Sequence, residues 1–261
     1  MDPDGVDGRS GVEGVDGVCG VAAVPDPDYA VSAEFYDLLQ AETDRRQAAR
    51  WFAGPAGRAR AAIVDLGAGT GIVTEVLLAA SAVPVHAVEP SAAMRVGLLG
   101  RLARLGAEDR ARVTVHPVRV ESAGLCGVAD LVVASNVLAC LAPPDRRAVW
   151  RAVASALLPG GLLLFDPPPT GVPPPAERAW EIGPVRVGPD RYTATVRLTP
   201  DGGVLRSTYT YRVERDGCPL REEAVEFRLW PARPGELAEE LAAAGLRPVP
   251  APAAGLTAAR R

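Results

Sequence analysis

Between residues 61 and 166, short apolar runs alternate with amphipathic stretches. "AAIVDLG" reads as a strand and "GIVTEVLLAAS" as a helix, then "VPVHAVEP" as a strand and "SAAMRVGLLGRLARLG" as a helix. "ARVTVHPVRV" is a third strand, "ADLVVAS" a fourth followed by the helix "PPDRRAVWRAVASALLP", and "GGLLLFD" a fifth. Strands apolar on both sides and alternating with helices predict a parallel sheet covered on two faces, hence a doubly wound α/β core. Ahead of it, "YAVSAEFYDLLQAETDRRQAARWFAG" has helical spacing: Phe35, Leu38 and Leu39 share a face, and Trp51 and Phe52 close a second helical segment before Gly54-Pro55.

The rhythm changes after the prolines at 167–169. "RYTATVRLT", "GVLRSTYTYRVE" and "REEAVEFRLW" alternate polar with apolar or β-branched residues, and "PDGG" and "RDG" supply hairpin turns. The helix "PGELAEELAAAGL" and the short strands "RPVPAP" and "GLTAARR" then return to the core. The expected fold is α/β: a doubly wound, mostly parallel seven-stranded sheet with an antiparallel three-stranded insertion. The expected organisation is a disordered tail at 1–27, a helical lid at 28–60, a cofactor-binding core at 61–189, the insertion at 190–231 as substrate cover or oligomer contact, and 232–261 completing the core. The tail is too poor in large apolar residues to build a core. Its "DPDGVDG" lacks the spaced ligands and terminal Glu of a calcium loop.

Composition narrows the chemistry. A length of 261 residues suits one sizeable domain. The formal charge of -4 exerts no pull towards nucleic acid or anionic lipid. All 28 Lys/Arg positions are arginine, which removes lysine Schiff-base chemistry and, with the heavy use of Ala, Gly and Pro, points to a GC-rich bacterial coding sequence. Cys19, Cys126, Cys140 and Cys218 lie far apart with only two histidines to join them, so plain thiols are expected and no metal site. No apolar stretch approaches the roughly 18 to 20 residues that span a bilayer, so the expected location is cytoplasmic.

"VDLGAGTG" joins a strand ending in an acid to a helix through Gly67, Gly69 and Gly71, where a ligand meets the backbone and the helix amino end favours anionic groups. The dinucleotide fingerprint needs a glycine at position 72, which is Ile72, and the Walker pattern needs a lysine. Glu89, ending the second strand in "VEPS", is placed to accept from both hydroxyls of a ribose.

From Ile63 to Asp166 the chain resembles the class I S-adenosylmethionine-dependent methyltransferases. "VDLGAGTG" looks like their first motif, "AVEPSAAM" their second, "VRVESAGL" the loop after the third strand, "DLVVASNVLACL" the fourth strand and "LLPGGLLLFD" the fifth. The resemblance implies S-adenosylmethionine as cofactor. It implies that Gly67, Ala68, Gly69 and Gly71 wrap its methionine and ribose, that Glu89 accepts from the ribose, and that Met94 or the Pro90-Ser91 backbone lies beside adenine. It further implies that Glu121, with Ser122, contacts the adenine amino group, although the family usually has Asp there, and that Asp65 reaches the methionine ammonium. Ser135 and Asn136 are expected to line the transfer site, and Tyr29 and Tyr36 to belong to a segment folding over the cofactor. Tyr36 and Asp166 are the candidate catalytic residues. His86 and His116 lie inside strands, so a histidine base, the usual partner of an alcohol or phenol acceptor, is not expected. The reading leans to N-methylation of a small molecule or short peptide, with O-methylation open, in bacterial secondary metabolism. A homodimer is a further expectation; nucleic acid and membrane are not expected partners. The competing readings are a methyltransferase-fold binding protein without turnover and a nicotinamide-dependent oxidoreductase.

Overall fold

A computed structural model describes residues 29–170 and 178–261. The expected tail at 1–27 and part of the proline-rich stretch after Asp166 lie outside them. Seven strands form the main sheet: β1 (Ile63–Leu66), β2 (Val85–Val88), β3 (Val113–His116), β4 (Ala129–Ala134), β5 (Leu157–Phe165), β10 (Arg247–Val249) and β11 (Thr257–Arg260), in the order β10-β11-β5-β4-β1-β2-β3. The first five pair in parallel, while β11 runs antiparallel to β5 and β10 antiparallel to β11. All four residues of β1 are buried because helices cover both faces of the sheet.

Helices α3 (Ile72–Ala80), α4 (Ala92–Leu102), the short α5 (Ala107–Ala111) and α6 (Pro143–Ala156) connect the parallel strands, and α7 (Pro234–Ala243) precedes β10. One apolar layer joins Val64, Leu66, Val132, Trp150, Leu163 and Leu237. The opposite layer joins Phe52, Ile63, Leu77, Leu98, Leu131 and Leu164.

The insertion differs from the sequence expectation: it is four-stranded, not three-stranded. Strands β6 (Arg178–Val187), β7 (Asp190–Asp201), β8 (Val204–Arg215) and β9 (Cys218–Leu229) form an antiparallel meander that begins at Arg178. In "RAWEIGPVRV" the Gly183-Pro184 pair breaks the alternation that identifies a strand, and the register shifts between Ile182 and Val185. An edge strand tolerates a proline, which has no N–H to donate.

Helix α1 (Tyr29–Ala48) continues through a π turn (Ala49–Ala53) and the short α2 (Gly54–Ala56). It lies between the two sheets. Phe35 stacks on Tyr211 of β8 with centroids 4.5 Å apart and planes 7° apart, and sits in an apolar cluster with Ala194, Val213 and Val225. The opposite side meets α3 and α4 through polar contacts. Facing apolar packing on one side and ion pairs on the other, α1 seats the second sheet over the first.

Candidate active site

Strand β1 has β2 on one side and β4 on the other, and the chain leaves β1 and β4 into adjacent loops. Such a reversal of strand order opens a crevice at the carboxyl ends of the strands. The loop after β1 carries Gly67, Gly69 and Gly71, each at positive φ (68°, 55° and 86°). Their missing side chains serve different purposes. A Cβ on Gly67 would collide with Val137 Cγ2, in the loop after β4, and one on Gly71 would lie 2.6 Å from Leu98 Cδ1 of α4. At Gly69 the nearest atom is the Gly67 carbonyl oxygen at 3.9 Å, so this is the glycine whose surface is open. The backbone N–H groups of Gly67 and Ala68 both donate to the Val88 carbonyl, at 2.9 and 3.1 Å, which fixes the loop against β2.

Glu89 follows β2 and is only 6 % exposed. Its Oε2 accepts from the Gly69 N–H at 2.8 Å and its Oε1 from the Ser91 N–H at 2.7 Å. The carboxylate therefore organises the glycine loop and the start of α4 together. Ser91 caps α4, its hydroxyl accepting from the Met94 N–H at 3.1 Å; Met94 is buried, and the Pro90 carbonyl accepts from Arg95 at 2.7 Å. Asp65, on β1, is almost wholly buried and accepts from the Thr74 hydroxyl at 2.6 Å. Burial pushes its carboxyl up to about 7 against the Thr74 hydrogen bond, with the Glu89 charge adding to the rise. A buried acid held this high is matched to a cation. Glu121 and Ser122 lie on a 3-10 turn (Val120–Ser122) after β3, both exposed.

A second group gathers at the ends of β4 and β5. Asn136 adopts φ of 60°, and its N–H donates to Asp166 Oδ1 at 2.8 Å; Ser135 immediately precedes it, half-buried. Across from them, the Tyr36 hydroxyl of α1 donates to Asp44 Oδ2 at 2.8 Å, and the Asn136 side chain is near enough to the phenol to oppose its rise. Burial, followed by Asp44, raises Tyr36 well above the usual phenol range. Burial also raises Asp44 and Asp166, and the Asp44 charge adds to the rise at Asp166. Tyr209 of β8 and Cys140 complete the group. Tyr209 is pushed up to about 12 by burial first and then by Tyr211, Cys140 and Asp44, and Cys140 to about 11 by burial and Asp166.

Asn136 thus bonds one candidate catalytic residue, Asp166, and stands near the other, Tyr36. Tyr29 packs against Phe227 of β9 with centroids 5.4 Å apart, tying the start of α1 to the insertion. The histidines pair with each other across β2 and β3, His86 Nδ1 to His116 Nε2 at 3.1 Å, and burial lowers both.

Sequence reasoning placed Asp37 only within the segment expected to fold over the cofactor, and passed over Asp44, Gly97, Arg101 and Tyr209. A Cβ on Gly97 would lie 2.8 Å from Thr70 Cβ, so this glycine lets α4 approach the loop; a glycine inside a helical pattern was the available signal. Asp37 accepts from the Thr70 hydroxyl at 2.5 Å and from Arg101 at 2.6 Å, pairings across 33 and 64 residues that no local pattern announces.

Residues 64–163 match a family model described as a methyltransferase domain. No curated protein matches the chain. Among solved structures, the S-adenosylmethionine-bound amino pentose methyltransferase CalS10 of Micromonospora echinaspora superposes with a TM-score of 0.63 at 22% identity, over 85% of this chain and 90% of that one. The sugar N-methyltransferase KedS8 of a Streptoalloteichus species gives 0.64 at 24% identity, over 97% and 99%. The glycopeptide N-methyltransferase MtfA, complexed with S-adenosylmethionine, gives 0.53 at 22% identity, over 85% and 93%.

Proposed function

We propose that this chain is a class I S-adenosylmethionine-dependent methyltransferase, a reading supported by the methyltransferase domain matched at residues 64–163 and by the fold, and that it methylates an amine on a small molecule or short peptide. The observation that carries the acceptor class is the grouping of Tyr36, Asp44, Asn136 and Asp166 beside the glycine loop. An alcohol or phenol needs a base to become a nucleophile, usually a histidine. Here the two histidines are paired with each other on β2 and β3. A neutral amine already carries its lone pair, and needs only orientation and a group that takes its proton when it arrives as an ammonium. Asp166, whose proton affinity burial raises, is suited to that second task.

The residues around the loop fit the cofactor. Gly69 leaves room for close approach, Glu89 would accept from a ribose diol with its remaining lone pairs, and Asp65 would offer a buried carboxylate to the methionine ammonium. When bound, S-adenosylmethionine supplies an electrophilic methyl group on a sulfonium. The protein's part is then to hold the acceptor in line and away from water, and the position of the second sheet over α1 supports that role for the insertion. The sugar and glycopeptide N-methyltransferases among the similar structures favour an amine on a sugar or peptide and a place in bacterial natural-product synthesis.

The test is calorimetric titration with S-adenosylhomocysteine, with Glu89→Gln and an NADH control, followed by methyl-transfer assays on amines and phenols. Micromolar binding that weakens at least tenfold in Glu89→Gln, no NADH binding, and transfer to amines are expected. Binding without transfer to any acceptor would favour a scaffold without turnover, and methylation of phenols alone would exclude the amine reading.

A further inference from the structure

Tyr36 and Asp44 sit eight residues apart on α1, and their side chains meet, the phenol hydroxyl donating to Asp44 Oδ2 at 2.8 Å. A phenol has one proton and two lone pairs. With the proton committed to Asp44, the oxygen is left only as an acceptor, and Asn136 stands near it from the β4 side. An oxygen held in this way keeps acceptor capacity for a substrate N–H brought to the ends of β4 and β5. Asp166 lies at those same strand ends, anchored by the Asn136 N–H at 2.8 Å.

From this arrangement, and resting on the methyltransferase reading above, we propose that Asp44 is a positioning residue that turns the Tyr36 oxygen into a hydrogen-bond acceptor and thereby selects an acceptor substrate with an N–H over one with a hydroxyl. A primary or secondary amine donates one N–H to Tyr36 and keeps its lone pair free for attack. A hydroxyl that donates its single proton to Tyr36 still needs that proton removed before it is an effective nucleophile, and the Tyr36 phenol is held neutral beside a carboxylate. The chemical class selected is therefore an amine presented on a small polar scaffold. Burial and the Asp44 charge, both of which raise Tyr36, keep the phenol in the form the selection requires.

The test uses the full chain and has two independent readouts. In an alkaline ultraviolet titration, the difference between the wild type and Tyr36→Phe isolates the Tyr36 phenol. Asp44→Asn is expected to lower that phenol by removing the Asp44 contribution, while burial, the larger cause of its rise, remains. In the second readout, an aminodeoxyhexose methyl glycoside competes with its all-hydroxyl counterpart for methyl transfer. The wild type is expected to methylate the amine at least about a hundredfold faster, and Asp44→Asn and Asp44→Ala to lose on the order of a hundredfold in kcat with S-adenosylhomocysteine affinity unchanged. A phenol unmoved by Asp44→Asn, unchanged amine turnover in that variant, or equal turnover of the two glycosides would each overturn the proposal. Turnover of neither glycoside, with homocysteine-product binding intact, would sink the amine reading and this selection with it, leaving the titration to judge the Tyr36 hydrogen bond by itself. Loss of product binding in the wild type would instead mark failure of the cofactor reading.

Discussion

A methyl group added at Gly71 meets Leu98 Cδ1 at 2.6 Å, while one added at Gly69 meets nothing nearer than the Gly67 oxygen at 3.9 Å. Gly71→Ala should therefore act on stability, lowering it by about 1 to 3 kcal/mol through overpacking, as read by denaturant unfolding. Gly69→Ala carries only the cost of a left-handed backbone, about 1 to 2 kcal/mol, and should instead weaken S-adenosylhomocysteine by at least about tenfold, or roughly 1.4 kcal/mol. Asp65 gives a proton-linked prediction. Its folded value of about 7 lies above its ordinary 3.8, so the native state holds the extra proton; the contribution to stability is full below about 4 and declines as pH rises towards 7. A bound ammonium reverses that shift. Binding of S-adenosylhomocysteine at pH 6 should then release up to about one proton, measured by calorimetry in buffers of different ionisation enthalpy, and Asp65→Asn should abolish the release. The glycines, Asp65 and Glu89 were legible because each follows a strand in a recognisable spacing. Asp44 was not, since its meaning comes from a hydroxyl two helical turns away and from the strand ends facing it.

Helix α1 carries the most at the scale of elements. It is clamped to the glycine loop by the Thr70 and Arg101 bonds to Asp37, and Arg101 and Arg45 both reach Glu75 of α3 at 3.1 Å. Arg101 is largely buried and also donates to the Thr70 carbonyl at 3.0 Å, so one side chain reads both helix and loop. Asp37→Ala should free α1 without unfolding the main sheet. Hydrogen exchange is expected to quicken over residues 29–48 and stay unchanged in β1 and β4, while S-adenosylhomocysteine affinity falls several-fold. Uniform quickening across the sheet would show that the clamp holds the whole fold rather than the helix. The helical spacing of α1 was visible in the sequence, but not its polar clamp, because the partners come from α3 and α4. Strand β6 was missed for a local reason: Gly183-Pro184 interrupts the two-residue period by which strands are recognised.

At the scale of the molecule, a four-stranded sheet inserted after β5 must leave the main sheet able to recover its last two strands. A buried ion pair fastens that return. Arg146 of α6 donates from Nε and Nη2 to Glu240 of α7 at 2.8 and 2.9 Å, and the Trp150 indole donates to the same carboxylate at 3.0 Å. Burial works to raise Glu240, but the Arg146 and Trp150 hydrogen bonds outweigh it and hold the carboxyl below its usual value. Its contribution to stability is thus present above the ordinary glutamate range and lost as pH falls through the lowered value. Glu240→Ala leaves Arg146, 2 % exposed, without its counter-charge, and should cost about 3 to 5 kcal/mol, read as a lower denaturant midpoint. A change under about 1 kcal/mol would show that water replaces the pair.

The sequence by itself determined the doubly wound core, the order of its strands along the chain, the glycine loop with its flanking acids, and the presence of an antiparallel addition. These follow from hydrophobic period and from residue types at strand ends, both of which are local. The tertiary structure alone decided which glycine stays open and which two merely admit neighbours, and that the addition has four strands. It alone joined Tyr36 to Asp44 and Asn136 to Asp166 at one place. Those facts depend on side chains brought together across tens to hundreds of residues, where proximity is fixed by packing of the whole chain and leaves no period in the sequence.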